Sequence, residues 1–323
     1  MLHLPQLKEF DCHINDTLVH DLIPEIVGVD IIMMCSVLAY LGLLLAMCFL
    51  VSSDNSYEFR THFQEGLRHY RQNDHILTEK HMMIALEYEP LNIYANGILG
   101  AVCTLQGRLE EGLRFLSVSA TNGGLLDASI TASYIETLRL NQQYEKGIEV
   151  YHNAIVRFPK DTSVLLNGGL LLLNAGQRAA GIDCLLLATD GFSDTNYEGW
   201  SQIIENLNIM LLHEEAEQFA VAALRRFPGE SQIVFHAALT FHYLNKFNEA
   251  LELYRKVIAL NPDNQVAHSN IGAVYQAMGN MHEAKRAYQA SFELLQTDAG
   301  LLVRETHHHV ILCCVVLCGV RWS

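Results

Sequence analysis

Imidazole, thiolate and carboxylate groups are the side chains most able to hold a metal or move a proton, and in this chain their spacing builds little. The densest set is His307, His308 and His309, followed by Cys313 and Cys314. Nitrogen and sulfur donors of this kind suit zinc. Adjacent residues on a helix point about 100° apart, so three in a row cannot converge on one ion. The run therefore reads as a polar patch, and no metal or other cofactor is expected. No HExxH, GxSxG, phosphate-cradling loop or GxGxxG occurs, and the acidic residues are scattered as solvated helix faces would scatter them. The chain is expected not to be an enzyme. Of its eight cysteines only Cys103 and Cys184 fall between residues 59 and 298, and both read as small buried hydrophobes. The tail VILCCVVLCGV, 310–320, is too short to span a bilayer. It reads as part of a cap over the end of the fold, as a membrane contact acylated at Cys313, Cys314 or Cys318, or as a truncated or misread gene end.

The 323 residues carry a formal charge of −15, with half of them hydrophobic and 18% charged. A mainly disordered chain is excluded by that balance. Nucleic acid is not an expected partner, because the few Lys and Arg form no stripe that would offset repulsion from phosphates. Residues 31–51, IIMMCSVLAYLGLLLAMCFLV, contain no charge. As a helix they would extend roughly 30 Å, the thickness of a hydrocarbon core. A single transmembrane helix is predicted there, after an acidic segment at 1–30. Lys8 is the only basic residue before it, whereas Arg60, Arg68 and Arg71 follow it. This bias predicts a cytosolic main body. The pattern Asn15-Asp16-Thr17 then lies on the lumenal side, where Asn15 is a candidate for N-glycosylation in the endoplasmic reticulum.

What positions any binding residue is a repeat. Pro90, Pro159, Pro228 and Pro262 stand in similar settings at intervals of 69, 69 and 34 residues, which implies a unit of about 34. Counted from these prolines, units covering 59–298 start at Phe59, Ile93, Ala128, Thr162, Tyr197, Ser231 and Gln265. Position 20 of each is small: Thr78, Gly112, Gly147, Gly181, Ala216, Ala250 and Ala284. Position 8 is Gly66, Gly100, Gly169, Ala238 or Gly272 in five units, while Ile135 and Ile204 in the third and fifth predict looser pairing there. Two helices per unit are expected, ended by the proline and restarted by a following Ser, Thr, Asp or Asn, as in RRFPGES.

In the last units, Ile271, Gly272, Tyr275, Ala284 and Tyr288, and before them Ala238, Phe241, Ala250, Tyr254 and Pro262, fall where the tetratricopeptide repeat (TPR) has its signature residues. The chain resembles that family over 59–298. The resemblance implies an all-α, right-handed superhelix of about seven helix pairs, with residues 299–323 adding a capping helix and the apolar tail. It also implies a concave groove lined by the first helix of each unit. Groove candidates are Phe63, Tyr70, Asn167, Glu205, Asn208, Phe235, His236, Tyr243 and Asn270, with Glu136 and Arg139 in the same wall. Family members generally bind peptide segments of other proteins, so a membrane-anchored scaffold or adaptor is the expected function. Two further resemblances are to the TPR region of transmembrane-and-TPR O-mannosyltransferases, without their catalytic half, and to receptors for precursor proteins on organelle surfaces.

Overall fold

The computed structural model describes residues 56–295. The expected transmembrane helix at 31–51, the segment before it with Asn15, the histidine run and the tail lie outside these residues. Among the described residues there is no strand, and no helix is long and apolar enough to cross a membrane. They form fourteen helices in seven consecutive pairs. The pairs are α1 (56–71) with α2 (His75–Tyr88), α3 (Ile93–Leu105) with α4 (Leu109–Thr121), and α5 (Ala128–Leu140) with α6 (Tyr144–Arg157). Then come α7 (Thr162–Asn174) with α8 (Arg178–Gly191), α9 (Tyr197–Ile209) with α10 (His213–Arg226), α11 (Ser231–Tyr243) with α12 (Phe247–Leu260), and α13 (Gln265–Ala277) with α14 (Met281–Leu295). The odd-numbered members are called A helices and the even-numbered ones B helices.

Local chemistry sets the ends. Each A helix from the second unit on begins after a capping position: the side chains of Asn92, Asp127, Asp161, Asn196 and Asn264 accept backbone N–H groups of the first turn. RRFPGES departs from expectation. Ser231 is the first helical residue rather than the cap, and Glu230 occupies the cap position without a side-chain bond. The serine lies one residue too late to have the extended backbone that a cap requires. Asn96 reinforces the proline turn before its own helix, donating through Nδ2 to the Pro90 carbonyl at 3.0 Å.

The A-to-B turns share one device that the period conceals. Position 15 of every unit has a positive φ: Asn73, Gly107, Gln142, Gly176, Leu211, Asn245 and Gly279. The next residue's amide then reaches back five residues, as Arg108 N does to the Cys103 carbonyl at 2.9 Å, and equivalent bonds occur at Asp74, Gln143, Gln177, Leu212, Lys246 and Asn280. This is the Schellman closure of a helix, which needs one left-handed residue.

Pairing depends on missing side chains. A Cβ placed on Gly169 would lie 3.0 Å from the Gly181 carbonyl oxygen, and one on Gly181 would lie 2.9 Å from that of Gly169. The two backbones cross at these atoms, so no larger residue fits without separating α7 from α8. Gly100 and Gly112 make the same reciprocal contact in the second unit, each virtual Cβ 3.0 Å from the other's oxygen. The third and fifth units, with Ile135 and Ile204 at position 8, bring their two helices into less close contact than the second, fourth, sixth and seventh, in keeping with the bulk of those residues.

The core is shared between neighbours. One cluster joins Met82 of α2 to Ala95, Leu99 and Cys103 of α3; the next joins Leu116 of α4 to Ile130, Tyr134 and Leu138 of α5. Further clusters continue the sequence to the last unit, and a unit on its own would leave half of each exposed. The seam between the fourth and fifth units is distinctive. Its helices approach less closely than those across the neighbouring seam, and there Phe192 of the fourth unit meets Trp200 of the fifth edge-on at 6.4 Å between ring centroids, while Phe219 packs on the same indole from within the fifth unit, also at 6.4 Å.

Leu211 holds a backbone angle of φ 60 with 71% of its surface exposed. A β-carbon in that region costs on the order of 1–2 kcal/mol, and the exposed side chain offers little in return. Leu211→Gly is therefore expected to stabilise the fold by about 1 kcal/mol, read as a higher denaturation midpoint in urea. A lower midpoint would contradict the left-handed turn.

Candidate functional site

The A helices place side chains on one continuous wall, and the structure divides the groove candidates into two groups. Asn167, Asn208 and Asn270 are buried, with 8%, 6% and 1% of their surface exposed. Asn167 donates through Nδ2 to the Ala132 carbonyl of the preceding A helix at 3.2 Å. Asn208 donates to the Thr240 hydroxyl at 2.9 Å and to the His236 carbonyl at 3.3 Å, both on the following A helix. These two amides join neighbours. The register is general: Asn208 and Thr240 occupy positions 12 and 10 of adjacent units, and so do Thr104 and Thr137, whose hydroxyls lie 2.8 Å apart. A second recurring pair ties the opposite side, between position 16 of one unit and position 21 of the unit before it. These are Arg108 with Glu79 and Lys246 with Glu217, each at 2.5 Å. Exposed pairs such as these contribute at most about 1 kcal/mol and mainly fix register.

Phe63 and Phe235 are half-buried packing residues. Phe63 stacks on Phe59 with 5.4 Å between centroids, and Phe235 lies edge-on to Tyr254 at 6.2 Å. Glu205 is exposed, while Tyr70, His236 and Tyr243 are half-buried. Burial of its surroundings nonetheless pushes the Glu205 carboxyl above the usual range. Glu136 shows the same upward shift from burial, and Arg139, one turn further along α5, is pulled down by burial.

The structure draws several candidates together across the fifth and sixth units. Tyr243 stacks on His213 with centroids 4.7 Å apart, and His242 lies parallel to Tyr243 at 6.0 Å. His213 also meets Asn208, with Nδ1 3.4 Å from Oδ1. His213 opens a B helix, so a rule confined to A helices misses it; the signal was an aromatic-sized polar residue directly after the fifth A-to-B turn. Tyr70 and Phe63, on the first unit, stand far along the array from this patch. Near them, His62 and His81 approach with Nδ1 atoms 3.1 Å apart, and burial chiefly lowers the His81 pKa. Among the described residues no group of three or more His, Cys, Asp or Glu is arranged to hold a metal. Cys103 is buried, which pushes its thiol up to about 11 and makes it a poor nucleophile. Cys184 meets the Tyr151 hydroxyl at 3.0 Å.

Burial pulls His236 from its ordinary value of 6.5 to about 4, and shifts His213 and His242 in the same direction. Between those limits the unfolded chain binds a proton that the folded one does not, so stability falls as the pH drops through the window. Acidification from about pH 7.5 to 5 is expected to remove on the order of 2 kcal/mol through His236 and to lower the melting temperature. His236→Leu should flatten most of that slope. A wild-type melting temperature that is constant over this range would refute the assignment.

Comparisons with known proteins agree with this architecture. Family models described as TPR repeat and tetratricopeptide repeat match residues 238–279 and 267–294. A TPR repeat-containing protein of Methanocaldococcus jannaschii is 29% identical over 86 residues, which span 25% of this chain and 27% of that protein. The chain thus aligns with about a quarter of the length of that relative. The crystal structure of a tetratricopeptide repeat protein from Parabacteroides merdae superposes with a TM-score of 0.54 at 14% identity, covering 77% of this chain and 97% of that one. That likeness concerns the fold alone. A crystal structure of MamA covers 51% of this chain with a TM-score of 0.42. None of these likenesses supports the resemblance to O-mannosyltransferases. Family models of the tetratricopeptide repeat match the last two units, and the seven helix pairs of the described residues carry the same register along the array.

Proposed function

We propose that this protein is a scaffold that holds extended peptide segments of partner proteins against its A-helix wall. The observation that supports the reading most is the patch on the fifth and sixth units, where the Tyr243 ring stacks on His213 and His213 meets the Asn208 amide, an aromatic face beside polar groups. Aromatic anchors in partly desolvated clefts commonly dominate peptide binding. The rigid array beneath them, joined from unit to unit by buried hydrogen bonds, would keep such a surface preorganised. Fold-level analogy to other TPR proteins adds a prior and no more.

The uncharged run at 31–51 motivates a second part of the proposal, that a single-pass anchor holds the array on the cytosolic face of the endoplasmic reticulum. Expression in a secretory-pathway host should then give a protein that shifts in mass on glycosidase treatment, with Asn15→Gln abolishing the shift. A protein recovered from the soluble fraction without a glycan would count against the anchor.

The binding reading is tested with peptides selected against the protein from a random display library. Glu205→Lys combined with Tyr243→Ala is expected to weaken the selected peptides by about tenfold or more with folding retained by circular dichroism, the loss typical of an interface anchor. Unchanged affinity would place recognition elsewhere on the surface.

A further inference from the structure

We propose that His62 and His81 form a site for a divalent transition-metal ion of the kind imidazole prefers, such as zinc, and that the bound ion clamps α1 to α2. The inference does not depend on peptide binding. His62 lies on α1 and His81 on α2, at positions 4 and 23 of the first unit. In the six other units position 23 is Phe115, Val150, Cys184, Phe219, Leu253 or Ala287. The equivalent pair in the fifth unit is Trp200 with Phe219, an edge-on aromatic contact. Only the first unit sets two imidazoles there. Their Nδ1 atoms face each other at 3.1 Å, with 5.4 Å between ring centroids. At that separation at most one of the two nitrogens carries a proton, so at least one lone pair is directed into the space between the rings.

Bonds from zinc to imidazole nitrogen are about 2.0–2.1 Å long, so donors 3.1 Å apart subtend about 100° at a shared ion. That angle falls between the right angle and the tetrahedral angle, the two that copper, nickel and zinc sites use. His69 stacks on His81, 5.6 Å between centroids and 13° from parallel, which holds the His81 ring in place. The His62 ring then aims its lone pair by turning about its terminal torsion, whose minimum is broad. Both residues are half-buried, and two protein donors leave the outer coordination positions to water. The charge of Glu65, one turn from His62, reaches His81 and favours a cation, although Lys80 acts in the opposite sense. Arg68 holds that carboxylate at 2.6 Å, so Glu65 supplies attraction rather than a bond. Mg²⁺ prefers oxygen donors and is not expected to bind. Among the described residues the first unit has a neighbour on one side only, so its helices gain more from a direct link than those inside the array do.

The full-length protein, as wild type, His62→Gln and His81→Gln, is followed by hydrogen–deuterium exchange with and without excess Zn²⁺. Wild-type amides of α1 and α2 are expected to exchange about tenfold more slowly with zinc, the protection that a ligand at about ten times its dissociation constant gives a segment that must release it to open. Each substitution should abolish that effect, while exchange across 93–295 without metal stays as in the wild type. Because the readout is local, zinc taken up by His307, His308 and His309 or by the tail cysteines does not register at α1 and α2. Ni²⁺ should protect the same two helices and Mg²⁺ should not, a comparison made on the wild type alone and so independent of how the variants fold. Absence of zinc-dependent protection at α1 and α2 would show that the imidazoles share a hydrogen bond and nothing more, and would overturn the inference. Protection that survives both substitutions, or that Mg²⁺ reproduces, would overturn it as well.

Discussion

Two backbones can cross at van der Waals contact only where neither carries a side chain at the crossing, and the rest of this fold depends on that exclusion. At Gly169 and Gly181 the exclusion is reciprocal, since each lies where the other's carbonyl oxygen would meet a β-carbon. The close crossing sets the angle within the pair. That angle helps set where the next A helix can lie, and the stacking of seven pairs yields a wall of A helices rather than a globule. Ile135 and Ile204 show the rule from the other side: with bulk at the crossing the pairs still form, but in less close contact. A stack of nearest-neighbour contacts tolerates such local loosening, because no distant element has to be in register.

The seams between units are unequal. Apolar clusters cross most of them, with polar contacts at their edges; Thr104 with Thr137 and Asn208 with Thr240 repeat one geometry in two places. Buried hydrogen bonds of this kind add specificity of register more than stability, since each replaces bonds to water. Between the fourth and fifth units the solution is different. Phe192 meets Trp200 across the seam within a continuous apolar cluster, Phe219 packs on the same indole from inside the fifth unit, and the indole Nε1 finds no acceptor there. The stacked pair of Tyr243 and His213 lies on the fifth and sixth units, just past this seam.

The wall has an electrostatic character that its composition hides. The chain is acidic overall, yet the titratable groups of the wall respond to burial before they respond to one another. Glu136 and Glu205 are pushed toward neutrality, and His213, His236 and His242 are held uncharged. A surface of this kind offers shape, aromatic faces and hydrogen-bonding groups more than charge, and Arg139 is a charge buried within it. Its neutrality also ties the stability of the sixth unit to pH through the same imidazoles that line it.

Sequence alone determined the repeat, and with it the fold, because each unit is specified by local rules. Small residues at positions 8 and 20 recur where helices cross, and the A helices begin at Ile93, Ala128, Thr162, Tyr197, Ser231 and Gln265 as the period counts them. The left-handed residue at position 15 was also present in the sequence, but its identities, from Gly107 to Leu211, share no chemistry by which to find it. Which wall residues are free was decided only in three dimensions. Asn167 and Asn208 look the same in sequence as asparagines that would face a ligand, and they became buried links because the neighbouring helix brought a carbonyl or a hydroxyl within reach. Conversely His213, on a B helix, joined the site because the turn at Leu211 set it against Tyr243. Burial and exposure are properties of the neighbour as much as of the residue, and no spacing within a single unit carries them.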